Sequence, residues 1–194
     1  MLKRTIFFIR HGETDWNAEA RLQGQQDIAL NAVGRFQAEQ AGRRLAELAP
    51  DAAQLRYLCS PLGRTRETME IMRRSIGLPP GDYSLEPRFA ELTFGDWEGL
   101  TWREVRRAQA ELAAERERDK WSFVPPNGES YAMLAERVAP AIDDLPERSV
   151  VVSHGGVARA LLNLLSGLPE KKAPLLDIWQ GRVLVFDGPR HRWH

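Results

Sequence analysis

Thr5-Ile6-Phe7-Phe8-Ile9-Arg10-His11-Gly12 decides how this 194-residue chain is read. Five β-branched or aromatic residues in unbroken series read as a short strand buried on both faces, the kind found inside a parallel sheet. The run ends at Arg10, too short for a secretion leader or a membrane span. The segment after it opens with a histidine beside a guanidinium. Residues 10–30 hold no sustained period and carry Gly12, Asn17 and Gly24. They predict one long loop, and a loop of that length in a compact domain is usually functional.

The same order, buried strand and then a chemically loaded turn, recurs twice. Residues 55–59 read as a strand followed by Ser60-Pro61, which predicts a helix capped by Ser60 and running to about residue 76. Residues 149–153 (SVVVS) read as another buried strand, followed by His154-Gly155-Gly156 and a helix over 154–166 that Gly167 stops. Between these lie a helix over 32–48 capped by Asn31 and closed by Pro50, and a Pro/Gly-rich loop at 78–87. A structured loop at 88–100 follows, then a capping-box helix from Thr101 and Glu104 to about residue 120. A Pro-rich connection at 121–128 leads to a helix over 129–145 that Pro140 must kink or restart. Two last strands are expected at 175–179 and 182–187, with a frayed tail at 188–194. Strands alternating with helices predict a three-layer α/β/α sandwich with a mostly parallel central sheet. In such sheets ligands bind beyond the carboxyl ends of the strands, so the three loaded turns should meet on one edge.

Composition narrows the function. Lys+Arg and Asp+Glu number 27 each, so the net charge is zero, and the basic surplus of a nucleic-acid or membrane-surface binder is missing. The single cysteine, Cys59, excludes an internal disulfide and a cysteine-based zinc site. The default expectation is a cytoplasmic protein without nucleic-acid or membrane partners. The oligomeric state is open, a homodimer included.

The turns supply candidate chemistry. His11 is a nitrogen nucleophile beside Arg10, and Gly12 lets backbone pass close to a bound group. Phosphoryl transfer needs a placed nucleophile and cations on the equatorial oxygens. His154 and Gly155 sit at a helix start, where free N–H groups favour anions. Arg64 stands one turn into its helix and can grip phosphate in a fork. Arg66 lies about 200° further round and should face elsewhere. Glu91, with Glu98 as its rival, is a carboxyl group that can serve as general acid. Taken singly, each has an ordinary reading: a loop histidine, a buried histidine bonded to a carbonyl, a solvated arginine, a carboxylate in a cap or salt bridge.

Together the stretches resemble the histidine phosphatase superfamily, the phosphoglycerate-mutase-like group. They run in order from the strand with Arg10-His11-Gly12-Glu13-Thr14 through Trp16-Asn17, Arg21-Leu22-Gln23-Gly24 and Leu30-Asn31. Ser60-Pro61-Leu62-Gly63-Arg64-Thr65 follows, then Glu91 ahead of Phe94-Gly95-Asp96-Trp97-Glu98-Gly99. Asn127-Gly128-Glu129-Ser130 and Val152-Ser153-His154-Gly155-Gly156 complete the set. The resemblance implies that His11 is the phosphorylated nucleophile, that Arg10, Arg64 and His154 form the phosphate pocket, and that Glu91 is the proton donor. It implies further phosphate or substrate contacts from Asn17, Gln23, Gly24 and Gly155, with Thr14 at the margin. It also implies that no metal and no cofactor take part. Ala29 stands where the usual proline precedes the leucine, a departure in the loop and not in the chemistry.

The expected activity is that of a histidine-acid-type phosphatase, a phosphomonoesterase acting on a small phosphorylated metabolite. The short segment after Glu91 resembles the phosphatase branch, alpha-ribazole phosphatases included. The mutase branch carries a basic insert there. A phosphoglycerate mutase is the alternative, and an inactive phosphate- or protein-binding relative is a third. One domain over 1–194 is expected, with 95–126 as a small helical cap. Trp97, Trp102, Trp121 and Phe123 either line an apolar specificity pocket under that cap or pack it onto the core.

Overall fold

A computed structural model describes residues 4–194 of the chain. Strand β1 (Thr5–Arg10) leads to a four-residue helix α1 (Asp15–Ala18) and the long helix α2 (Ala32–Leu48). Strand β2 (Arg56–Cys59), helix α3 (Gly63–Ser75) and the two-residue strand β3 (Ser84–Leu85) follow. Helices α4 (Trp102–Ala108), α5 (Ala110–Arg118) and α6 (Tyr131–Asp143) come next. The chain closes with β4 (Arg148–Ser153), α7 (Gly155–Ser166), β5 (Val183–Asp187) and β6 (Arg190–Trp193).

The six strands form one sheet in the order β3-β2-β4-β1-β5-β6. The first four are mutually parallel, whereas β5 runs antiparallel to β1 and β6 antiparallel to β5. Side chains alternate across the sheet and split the core in two, as the period of a strand requires. Ile6 and Phe8 join Val151, Leu184 and Phe186 under α6 and α7. Phe7 and Ile9 join Val150, Val152 and Val183 under α2 and α3. The expected three layers are therefore present, with β1 buried on both faces. A third, smaller cluster of Leu22, Trp97, Val105 and Ala113 gathers α4 and α5. No helix among the described residues is long and apolar enough to cross a membrane.

Several local expectations fail for physical reasons. Residues 10–30 are not all loop: Thr14 caps α1, its side chain accepting from the Asn17 backbone while Asn17 reaches back to the Thr14 backbone. Ser60 is not the cap of α3, whose N-cap is Leu62 and which has no side-chain cap; Asp27 Oδ1 takes the Gly63 N–H at 2.8 Å instead. The helix expected from Thr101 to residue 120 breaks at Gln109, which leaves helical geometry (φ −139°, ψ 60°) and accepts from Trp97 Nε1 at 2.8 Å. The break lets Val105 and Ala113 both reach Trp97. The helix from Tyr131 passes through Pro140 without restarting.

Residues 175–179 form no strand. The place beside β1 belongs to β5, and the Ile178 carbonyl accepts from Arg10 Nη1 at 2.8 Å instead of from a ladder. The tail is not frayed: Arg190–Trp193 pairs with β5, and Trp193 packs on Trp179 at 5.3 Å. Asn31 and the Thr101–Glu104 capping box behave as expected, and Gly167 ends α7 in the left-handed region at φ 66°.

Candidate active site

Because β1, β2 and β4 are parallel, His11, Ser60 and His154 all leave the sheet at one edge. Loop 21–30, the segment around Glu91, and helices α4, α5 and α7 close round them to leave a cavity of about 440 Å³. Arg10, His11, Asn17, Gln23, Gly24, Arg64, Glu91 and Gly155 all line it.

His11 is buried at the end of β1, its backbone N–H still bonded to the Ser153 carbonyl. Its Nδ1 lies 2.7 Å from the Gly12 carbonyl. A carbonyl only accepts, so Nδ1 carries the proton and the lone pair sits on Nε2. Arg64 Nε donates to that lone pair at 3.3 Å. Burial first, then Arg64 and Arg10, hold the His11 pKa well below the usual imidazole value, so the ring is neutral in near-neutral water. Gly12 is required beside it: a Cβ there would collide with the Gly34 carbonyl of α2.

Arg64 is 1% exposed and held by backbone. Its Nη1 and Nη2 donate to the carbonyls of Gln26 and Gly24 at 2.6 and 2.7 Å, which winds loop 21–30 around the guanidinium. Thr68, one turn on, accepts from Gly12 N–H and donates to the Arg64 carbonyl, tying helix to turn. Arg10 is fixed by Ile178, and its Nε is buried with no hydrogen-bond partner among the described residues. Burial, with Arg159 nearby, lowers the Arg10 pKa to about 10, so it stays cationic at neutral pH.

His154 is fully buried at the N-cap of α7, its ring 5.3 Å from that of His11. Ser60 Oγ meets His154 Nε2 at 2.6 Å, while Nδ1 is buried without a partner among the described residues. If the hydroxyl gives its proton to Nε2, Nδ1–H is left as a donor. Burial, followed by Arg64, lowers this pKa as well.

Glu91 receives N–H bonds from Leu92 at 3.0 Å and Gly156 at 3.1 Å. A Cβ on Gly156 would strike the carboxylate, so only glycine lets α7 approach it. Burial raises the Glu91 pKa despite those bonds and Arg64. The rival Glu98 is engaged elsewhere, by Thr93, the Phe94 and Gln25 backbones and Gln26.

Asn17 Oδ1 accepts from the Thr14 backbone, the Thr14 hydroxyl and Gln180 Nε2, so Nδ2 is what it can offer to a ligand. Gln23 is 6% exposed, and its Oε1 has no partner among the described residues. Thr14 lies behind the wall as the cap of α1 and is not among the cavity residues. Arg66 is exposed, as its helix angle requires. Trp97 stacks on Phe123 and Trp121 on Tyr131, both as packing, whereas Trp102 lines the cavity. Sequence reasoning missed Ser60 as the partner of His154, Gln180, and the outer cations Arg106, Arg116 and Arg159. Only Arg159 had a signal: it stands four residues after Gly155 on one helix face.

The histidine phosphatase superfamily (branch 1) model matches residues 6–194. The chain belongs to that superfamily. It is 37% identical to the probable phosphoglycerate mutase GpmB of Erwinia tasmaniensis over 200 residues, 97% of this chain and 86% of that protein. It is 35% identical to the glucosyl-3-phosphoglycerate phosphatase of Mycolicibacterium vanbaalenii, over 91% of this chain and 80% of that one. Among solved structures it is similar to the alpha-ribazole phosphatase of Shigella flexneri, with a TM-score of 0.80, 30% identity, and coverage of 94% and 90% of the two chains.

Proposed function

We propose that this protein is a phosphomonoesterase that carries the phosphoryl group of a small metabolite on His11 and passes it to water. The observation that carries the reading is the Nε2 lone pair of His11, exposed by the Nδ1–Gly12 bond and flanked by guanidinium in a cavity. In the first step Nε2 attacks phosphorus, the P–O bond to the leaving group breaks, and Glu91 gives its proton to the departing alkoxide. Arg10, Arg64 and His154 hold the three equatorial oxygens as charge gathers there. In the second step Glu91 takes a proton from water, the oxygen attacks phosphorus, and the P–N bond returns its electron pair to Nε2. Asn17, Gln23 and Gly155 add contacts to the phosphate or the substrate.

Residues 95–126 serve as a cap within a single domain, a reading supported by the small cluster of Trp97, Val105 and Ala113 that packs with Leu22. An acid-shifted optimum follows from a general acid whose protonated form is active. A second reading rests on the relatives named phosphoglycerate mutase: the phosphohistidine would return its group to a second hydroxyl of the substrate. Phosphate release from a phosphomonoester by purified protein, set against a mutase assay with and without bisphosphoglycerate, separates the two. Release independent of the bisphosphate supports hydrolysis. Isomerisation without release overturns it.

A further inference from the structure

Glu98 does not line the cavity, yet it joins two segments that do. Its Oε1 accepts from the Thr93 hydroxyl at 2.7 Å and from the backbone N–H groups of Phe94 and Gln25 at 3.1 Å each. Its Oε2 accepts from Gln26 Nε2 at 3.0 Å. Thr93 and Phe94 closely follow Glu91 in the chain, whereas Gln25 and Gln26 form the tip of loop 21–30. An ionised carboxylate only accepts, so one side chain satisfies donors from both sides, and bonds to a charged group are the stronger kind. Gly24 makes the contact possible: it sits in the left-handed region at φ 52°, and a Cβ there would strike the Glu98 carboxylate.

The tip of the loop carries groups that matter to the chemistry. The Gly24 and Gln26 carbonyls accept from Arg64 Nη2 and Nη1 at 2.7 and 2.6 Å. Gln25 Nε2 donates to the Glu91 carbonyl at 2.9 Å. The tip therefore touches both the guanidinium beside His11 and the backbone of Glu91. Backbone bonds of Leu22 with Gly99 and Leu100, at 2.8 and 2.9 Å, bring the two segments side by side. Beyond Gly24, however, Gln25, Gln26 and Asp27 are exposed, so apolar burial does not fix the tip and hydrogen bonds must. Burial lowers the Arg64 pKa, and the charges of Glu91, Asp27 and Glu98 oppose that shift, so Glu98 also favours the charged guanidinium.

We propose that Glu98 is a positioning residue for the reaction: its carboxylate clasps the tip of loop 21–30 to the segment after Glu91, and so fixes the Arg64 guanidinium and the Glu91 carboxyl relative to each other and to His11. This goes beyond the phosphatase reading above but rests on it. Glu98 touches no reacting atom and acts through Gly24, Gln25 and Gln26. In-line transfer depends on such alignment, and a shift of about 1 Å caused from outside the site can cost about a hundredfold in rate.

The test measures kcat and KM well below the melting temperature of each variant. The substrates are p-nitrophenyl phosphate and whichever of glycerol 3-phosphate, 3-phosphoglycerate and glucose 6-phosphate the wild-type protein hydrolyses fastest. Glu98→Ala lowers kcat on the alkyl phosphate by about a hundredfold. KM changes far less, because the alignment is lost in the transition state. The loss is smaller on p-nitrophenyl phosphate, which needs Arg64 but releases its phenolate without a proton from Glu91. Glu98→Gln recovers about tenfold of the loss, since its carbonyl can keep the bonds of Oε1 while the Gln26 amide turns to accept from its NH2. Gln25→Ala, at an exposed position, removes the bond to the Glu91 carbonyl and lowers kcat on the alkyl phosphate by about two- to tenfold without lowering the melting temperature. Wild-type kcat in Glu98→Ala, equal losses on the two kinds of ester, or a loss that Glu98→Gln does not relieve overturns the clasp while leaving the phosphatase standing. Should Glu98→Ala not fold, Gln25→Ala decides, and wild-type kcat in it overturns the clasp. A wild-type protein that turns over none of these esters overturns the phosphatase reading, on which the clasp depends.

Discussion

Arg64 Nε stands 3.3 Å from His11 Nε2, although 53 residues separate the two along the chain. The guanidinium does two jobs at once. Its outer nitrogens donate to the carbonyls of loop 21–30, and its Nε faces the His11 lone pair that is proposed to attack phosphorus. Lysine carries the charge but not the fork. Arg64→Lys should destabilise the fold by about 2–4 kcal/mol, as expected for breaking a buried network, and lower kcat by about a hundredfold or more. Thermal melting and phosphate release check both. A variant with wild-type melting and turnover would show that the fork is dispensable.

The pH profile follows from two opposite shifts. His11 must be neutral to attack, and its pKa is lowered, so kcat/KM falls on the acid side below 6.5. Glu91 must be protonated to give up its proton, and its pKa is raised, so the rate falls on the alkaline side at a point above 4.5. The profile is a bell, and Glu91→Gln removes its alkaline limb. An acid limb centred at or above 6.5 would contradict the buried, cation-flanked ring.

Glu91 as acid predicts a dependence on the leaving group. Glu91→Gln should slow hydrolysis of an alkyl phosphate by about a hundredfold or more. p-Nitrophenyl phosphate, whose phenolate leaves without a proton, should suffer far less. Equal losses on both esters would remove Glu91 from the proton-transfer role.

Ser60→Ala tests the hydroxyl that fixes His154. Loss of the 2.6 Å bond frees the ring, whose Nδ1 is buried without a partner among the described residues and is the proposed phosphate donor. Turnover should fall about tenfold, and inhibition by vanadate should weaken with it, since the same donor steadies the transition-state analogue. Unchanged vanadate affinity would reduce Ser60 to packing.

Gly12→Ala should destabilise the fold by about 2–4 kcal/mol, because a methyl group has no room against Gly34. Denaturant unfolding measures it. A loss of under about 0.5 kcal/mol, the usual range for an unconstrained surface change, would mean that the turn and α2 part easily.

What the sequence revealed and what it hid divide along a physical line. Thr5 to Ile9, Asn31 and the Thr101–Glu104 box signal their structure through nearest neighbours, and they behave accordingly. Arg10, His11, Arg64, Glu91 and His154 were legible as candidates because each follows a strand or resembles a family motif. The failures belong to partners far along the chain. Ser60 reads locally as a helix cap, yet His154, 94 residues away, takes its hydroxyl. Gln109 has no breaker beside it, and Trp97 supplies the reason for the break. Residues 175–179 look like a strand until β5 fills the place beside β1. Arg116 looks like a solvated charge until Trp102 lies beneath it.

The proposed reaction requires a transient bond between phosphorus and His11 Nε2. Purified protein mixed with a phosphomonoester, stopped in alkaline denaturant to preserve an acid-labile adduct and digested, can be mapped by mass spectrometry. The predicted result is a phosphorylated peptide in which the modified residue is His11, absent from the His11→Ala protein. A protein that turns over substrate while carrying label on another residue, or that keeps full activity as His11→Ala, would contradict the account.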